Sequence, residues 1–231
     1  MLAHAKLCAF KSLTLQLRHY VAADVWRTEL DSSSWNQKYA AEELLYGETP
    51  NEFLADMITV LPSDSKIFVP GDGEGRNGVW LAQKGFQVTT VDSSETGVAK
   101  AKALASRKGV SLDQQLGDLT NWSYPQAEFD GAVLIYLHLP ASIRAQVHQN
   151  IAKAIKPGGV LILECFHPDQ LSRTSGGPKN IEMLYTSELL RSDFAGLLVP
   201  HFEFEGEVQL QEGTGHSGVG VVTRLVARRM A

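Results

Sequence analysis

A chain of 231 residues with 44% hydrophobic content has room for one α/β domain plus an elaboration, which excludes a second full substrate domain. Its formal net charge of -5 lacks the basic footprint that phosphate-backbone binding requires, so nucleic acid is not an expected partner. Two cysteines, Cys8 and Cys165, exclude a disulfide framework and fit a reducing, cytoplasmic setting, and no apolar run approaches the roughly 18 residues of a membrane span.

Residues 1–23 carry Lys6, Lys11 and Arg18 with no acid, interleaved with leucines. Such a stretch reads equally as a targeting segment, an upstream extension or a capping helix, and it lacks the small-residue cleavage site expected after a secretory apolar region. Ser32-Ser33-Ser34 marks a break or helix N-cap, and a helix is predicted over Trp35 to Leu45, ending near Tyr46-Gly47. A second is predicted over Asn51 to Leu61, with Phe53, Leu54, Met57, Ile58 and Leu61 at helical spacing and Pro62 as its stop.

From there strand and helix alternate. Strands are predicted at Ile67–Val69, Gln87–Val91, Leu112–Leu116, Phe129–Tyr136 and Val160–Phe166, with helices at Gly75–Lys84, Glu95–Arg107 and Ser142–Ile155. Ala132-Val133-Leu134-Ile135 reads as buried on both faces, as in a parallel sheet. The last two strands, Phe202–Gln211 and Gly218–Ala227, are joined by too few residues for a crossover helix, so they should pair as an antiparallel hairpin. The expected fold is α/β: a Rossmann-like, doubly wound, mostly parallel seven-stranded sheet with a C-terminal antiparallel β-hairpin.

Ile67-Phe68-Val69-Pro70-Gly71-Asp72-Gly73-Glu74-Gly75-Arg76-Asn77 is an apolar strand breaking into alternating glycines, with Val91-Asp92 one strand later. Glycines let a ligand approach the backbone, and an acid at the tip of the next strand can grip ribose hydroxyls. The loop also satisfies G-x-G-x-x-G through Gly78, so it fits both a dinucleotide and S-adenosylmethionine. Gly117-Asp118-Leu119 and the hairpin have no part in a dinucleotide site, so they separate the two. An NAD(P)-linked oxidoreductase and a catalytically silent cofactor-binding module are the competing readings.

The order of glycine loop, Val91-Asp92, Gly117-Asp118-Leu119, Phe129-Asp130, Ile155-Lys156-Pro157-Gly158-Gly159 and terminal hairpin resembles the class I S-adenosylmethionine-dependent methyltransferases over about residues 35–229. Trp35 with Lys38-Tyr39, Tyr46-Gly47 with Pro50-Asn51, Gly71 to Asn77, Gly176-Gly177-Pro178 and Glu212 with His216-Ser217-Gly218 are similar to the tellurite-resistance type. Phe68-Val69-Pro70 and Val79-Trp80-Leu81-Ala82 are similar to the thiopurine type.

The resemblance implies methyl transfer from S-adenosyl-L-methionine to a small-molecule acceptor such as a thiol or chalcogen oxyanion. It implies a helical extension and cofactor cap over residues 1–59 and a cofactor-binding domain over 60–231. Cofactor contacts are expected from Trp35, Tyr39, Gly71, Asp72, Gly73, Gly75, Asn77, Asp92, Ser93, Asp118, Leu119 and Tyr136. The family's acid two residues before the first glycine is replaced by Val69, and Asp72 or Glu74 is expected to supply the missing charge. Candidates near the strand ends for the acceptor side are Tyr136, His138, His167 and the turn with Glu212 and His216. Cys165, His167 and His138 lack metal-ligand spacing, so no metal is expected. The Ser- and Gly-rich stretch from Pro168 to Lys179 reads as a lid or substrate loop.

Overall fold

The structure, a computed structural model, describes residues 32–231; the basic N-terminal stretch and Cys8 lie outside them. Strands β1 (Lys66–Pro70), β2 (Gln87–Asp92), β3 (Asp113–Leu116), β4 (Phe129–Ile135) and β5 (Ile155–Phe166) are followed by β6 (Leu198–Glu212) and β7 (His216–Arg229). They form one seven-stranded sheet in the order β3-β2-β1-β4-β5-β7-β6. β1 to β5 are mutually parallel where they pair, whereas β7 runs antiparallel to β5 and to β6.

Neighbouring residues of the central strands feed opposite cores, which is why these runs are apolar throughout. Phe68, Leu134, Leu161 and Leu163 face one side, packed on Val147 and Ile151 of α5 (Ala141–Ala154) and Leu190 of α6 (Ser187–Asp193). Ile67, Val69, Val133 and Ile162 face the other, packed on Phe53 and Leu54 of α2 (Glu52–Met57) and Leu81 of α3 (Arg76–Gln83). Each such side chain contributes about 1.5–3 kcal/mol by leaving water. Between the strands α4 (Glu95–Lys108) packs Leu104 and Ala105 on Val79, with Gly109 in left-handed conformation as its C-cap.

Four elements depart from the expected pattern. The helix predicted over Trp35–Leu45 is only α1 (Ser32–Lys38), because the following backbone groups bond elsewhere: Lys100 Nζ donates to the carbonyls of Ala41 and Glu43, and Leu45 N donates to Glu74 Oε2 at 2.8 Å. The helix predicted over Asn51–Leu61 keeps Asn51 as its N-cap, bonded to Leu54 N at 2.9 Å, but turns 3-10 over Ile58–Val60. The hairpin is longer than predicted, and Glu212 pairs with His216, so only residues 213–215 form the turn. A further helix, α6, has just seven residues and is capped by Thr186; no periodicity announces so short an element.

Candidate active site

A cavity of about 550 Å³ runs along the carboxyl edge of the sheet, within the usual range for ligand pockets. It is bordered by residues that follow β3 (Gly117, Asp118, Leu119), β2 (Asp92, Ser93), β1 (Gly71, Asp72) and β4 (Tyr136, Leu137, His138), and by His216 at the start of β7. Because β7 is antiparallel, its first residue reaches the same edge as the last residues of the parallel strands.

At the β2–β3 end, Asp92 accepts hydrogen bonds from Gly73 N through Oδ2 and from Ser94 N through Oδ1, both at 2.8 Å. A carboxylate has about four acceptor positions, so acceptor capacity remains for two hydroxyls on the cavity side. Burial raises the Asp92 pKa, opposed by the amides of Ser94, Gly73 and Ser93. Ser94, not Asp92, caps α4, with Oγ accepting from Gly97 N at 3.0 Å. Asp118 is exposed and its Oδ1 accepts from Thr120 N at 2.8 Å, an Asx turn that still borders the cavity beside buried Leu119.

Trp35 and Tyr39 stack with ring centroids 5.4 Å apart and roof this end. Asn36 fixes their helix, its Oδ1 accepting from Ser94 Oγ at 2.7 Å and Thr96 N at 3.1 Å. Of the three loop glycines only Gly71 borders the cavity. A Cβ on Gly73 would fall 2.5 Å from Tyr39 Oη, and one on Gly75 would fall 2.6 Å from Ala101 Cβ. Both positions are tightly packed, Gly73 against Tyr39 and Gly75 where α3 meets α4.

The two acids near the loop are differently placed. Glu74 pairs with Lys100 Nζ at 2.8 Å and holds Leu45 N, away from the cavity. Asp72 borders the cavity, but its Oδ2 accepts from Gly78 N at 3.0 Å in the first turn of α3, while Oδ1 is buried without a partner. Burial, with a further push from Asp92, raises its pKa to about 8 against the amides of Gly78 and Asn77.

The β4–β7 end is built on a buried polar network. Asn51 Nδ2 donates to Glu164 Oε1 at 2.7 Å and to Glu212 Oε1 at 2.9 Å, and Asn51 N donates to Asn77 Oδ1 at 2.9 Å. Tyr136 Oη donates to Glu164 Oε1 at 2.6 Å, and Arg224 Nε pairs with Glu164 Oε2. Arg76 Nη1 lies 3.1 Å from Glu212 Oε1, and His216 Nδ1 lies 3.0 Å from Glu212 Oε2. Two carboxylates meet two guanidinium groups, the pairing that makes buried charge tolerable.

Tyr136 leaves β4 with φ of 53°, a strained conformation for a residue bearing a Cβ, and this turns its ring against those of His216 (4.4 Å) and Phe166 (4.6 Å). Burial, then the nearby Glu164 and Glu212, raise its hydroxyl pKa well above normal, so it serves as a donor. Burial alone would raise the Glu212 carboxyl, but His216 and Arg76 outweigh it and hold it at about 2. An ionised Glu212 requires the proton of neutral His216 on Nδ1, which leaves the Nε2 lone pair available. Burial lowers the His216 pKa, keeping the ring neutral.

The other two histidines are committed elsewhere. His138 borders the cavity, yet its Nδ1 donates to Met183 O and its Nε2 accepts from Phe166 N at 3.3 Å, so no ring nitrogen is free to act as a base. His167 does not border the cavity; its Nδ1 accepts from Asp169 N at 3.2 Å and caps the 3-10 turn Pro168–Ser172. The stretch expected as a lid is tied down: Gln170 Nε2 donates to Ser175 Oγ and Gly176 O, both at 2.9 Å, and Gln170 Oε1 accepts from Val221 N at 2.8 Å. Gly176 abuts the edge of the His216 ring, where a Cβ would fall 2.4 Å from Cδ2 and 3.3 Å from Nε2.

Tyr46 and Arg76 border the cavity and Asn51 supports it; they lie in stretches that carry the resemblance but were not named as site residues, while Glu164 and Arg224, which also support it, lie in no quoted motif. One signal was present for Glu164: a lone acid inside an otherwise apolar strand must find partners.

Residues 68–159 match the model of a methyltransferase domain. The chain is 27% identical over 135 residues to glycine N-methyltransferase of Rattus norvegicus, covering 52% of this chain and 46% of that one. It therefore spans about half the length of that relative. It is 28% identical over 179 residues to thiopurine S-methyltransferase of Vibrio atlanticus (strain LGP32), covering 70% of this chain and 80% of that one. Its fold resembles that of N-methyltransferase NodS from Bradyrhizobium japonicum WM9 in complex with S-adenosyl-L-homocysteine, with a TM-score of 0.64 at 16% identity over 86% of this chain and 97% of that one. The glycine loop, the acid ending β2, the sheet order closing on an antiparallel hairpin and the matched stretch agree: residues 68–159 of this chain carry a methyltransferase domain on a Rossmann-like, mostly parallel sheet.

Proposed function

We propose that the chain transfers a methyl group from S-adenosylmethionine to a small-molecule acceptor lodged at the β4–β7 end of the cavity. The observation that carries this is a single cavity joining Asp92 at one end to the Glu212–His216 pair at the other. The bound donor supplies an electrophilic methyl carbon: the acceptor lone pair forms the new bond as the carbon–sulfur bond breaks, and that electron pair stays on sulfur.

The protein's own part is to bind, cover and align. Asp92 takes the ribose hydroxyls, Asp118 and the Leu119 amide take the adenine edge, and Ser93 and Asn77 complete the wall. Residues 32–59 act as the cap, with Trp35, Tyr39 and Tyr46 excluding water. Where the acceptor is protic, His216 Nε2 takes its proton while Glu212 holds the ring. A thiol acceptor is favoured by the likeness to thiopurine S-methyltransferase.

A nicotinamide dinucleotide is disfavoured by the same geometry. Its pyrophosphate needs the open amides of α3, and Asp72 already occupies the amide of Gly78 there. Calorimetry tests the reading: S-adenosylhomocysteine should bind, and NADH binding with no response to S-adenosylhomocysteine would overturn it.

A further inference from the structure

We infer that Arg76 is an anion-recognition residue, and that the methyl acceptor carries a carboxylate or similar oxyanion group beside its nucleophilic atom. The inference rests on the methyl-transfer reading of the same cavity. Arg76 is the first residue of α3, only 6% exposed, and it borders the cavity with Tyr46, Tyr136 and His216. Its Nη1 touches Glu212 Oε1 at 3.1 Å but has no hydrogen-bond acceptor in suitable geometry, and its Cζ sits 5.8 Å from the centroid of the Tyr46 ring.

A guanidinium offers five N–H donors, and buried donors are nearly always paired. The neighbouring carboxylates are already engaged by other donors and leave most of the five unmatched. Glu212 Oε1 is shared with Asn51 and its Oε2 with His216, while Glu164 is taken by Asn51, Tyr136 and Arg224. Arg76 thus brings a planar fork of donors, one of them buried without a partner, to the wall of the cavity, and that fork matches a carboxylate or another oxyanion.

The sheet order says which ligand presents that group. Ribose and adenine belong with β2 and β3, whereas Arg76 clusters with Tyr136 after β4 and His216 on β7, at the acceptor end. An anionic acceptor is also drawn to the sulfonium of the donor, an attraction enlarged where water is excluded.

The test uses matched pairs of thiols, each a carboxylate and its carboxamide, small (mercaptoacetate) and aromatic (2-mercaptobenzoate). Binding is measured by calorimetry with and without S-adenosylhomocysteine, and methyl transfer by labelled donor. The wild type should prefer the acid of at least one pair by about tenfold or more. Arg76→Gln should abolish that preference with S-adenosylhomocysteine affinity retained; the double variant Arg76→Gln with Glu212→Gln keeps the charge balance should the single variant fail to fold. No acid preference in any pair, or a preference kept in the variants, overturns the inference. So does lost S-adenosylhomocysteine affinity with an unchanged acid preference, which would put Arg76 on the donor's own carboxylate. Failure of the methyl-transfer reading shows separately, as absent S-adenosylhomocysteine binding.

Discussion

His216 Nδ1 stands 3.0 Å from Glu212 Oε2 across the turn between the last two strands, and that one contact fixes which nitrogen of the ring carries the proton. With His216 as proton acceptor, His216→Gln should lower kcat on a protic acceptor by about 10²–10⁴-fold while leaving donor affinity unchanged. Because burial lowers the His216 pKa, the acid limb of the wild-type rate profile should fall below the ordinary histidine range and vanish in the variant. A variant with unaltered kcat and pH profile would return His216 to a packing role.

Asp92→Ala should weaken S-adenosylhomocysteine binding by about 1.5–3 kcal/mol, the range for hydrogen bonds to a charged group. Calorimetry reads it directly. Unchanged affinity would mean that Asp92 serves only Gly73 and Ser94.

Asn51→Ala removes the cap of α2 and strips Glu164 and Glu212 of a shared donor. Urea denaturation should register a loss of about 2–4 kcal/mol. A loss below about 0.5 kcal/mol, the level of an ordinary surface change, would show that the network does not hold the cap to the sheet.

Two acids should pull stability in opposite directions with pH. Asp72 is raised from 3.8 to about 8, so between those values the folded chain keeps a proton that the unfolded chain has lost, and stability falls as pH rises across that window. Glu212 is lowered from 4.5 to about 2, so its contribution is present above 4.5 and is lost as pH falls toward 2. Denaturation as a function of pH should show Asp72→Asn flattening the slope between 4 and 8, and Glu212→Gln flattening it below 4.5.

The strands were legible because β1, β4 and β5 are covered on both faces, which forces unbroken apolar runs such as Ala132 to Ile135. The glycine loop was legible because left-handed backbone at Gly71, Gly73 and Gly75 restricts the residue type there, and Asp92 because it ends the next parallel strand. The helix after Trp35 was not, since its end is decided by Lys100 and Glu74, which are distant in sequence and close only after folding. The same holds for the acceptor end: Asn51, Arg76, Glu164 and Arg224 come from four elements, and no local spacing records their meeting. His138 and His167 had the right position along the chain, but their ring nitrogens answer to Met183, Phe166 and Asp169.

Gly215 N donates to Leu45 O at 2.9 Å, and a Cβ on Gly213 would fall 2.4 Å from that same carbonyl oxygen. Asn51 and Glu212, bonded to each other, are 161 positions apart. A nascent chain therefore carries the glycine loop and Asp92 long before it can finish the far wall of the cavity, which waits for the hairpin turn to arrive and clasp the segment around Leu45. Contacts that span so much chain are slow to form, and a cut within residues 213–215 would undo the last of them at one stroke.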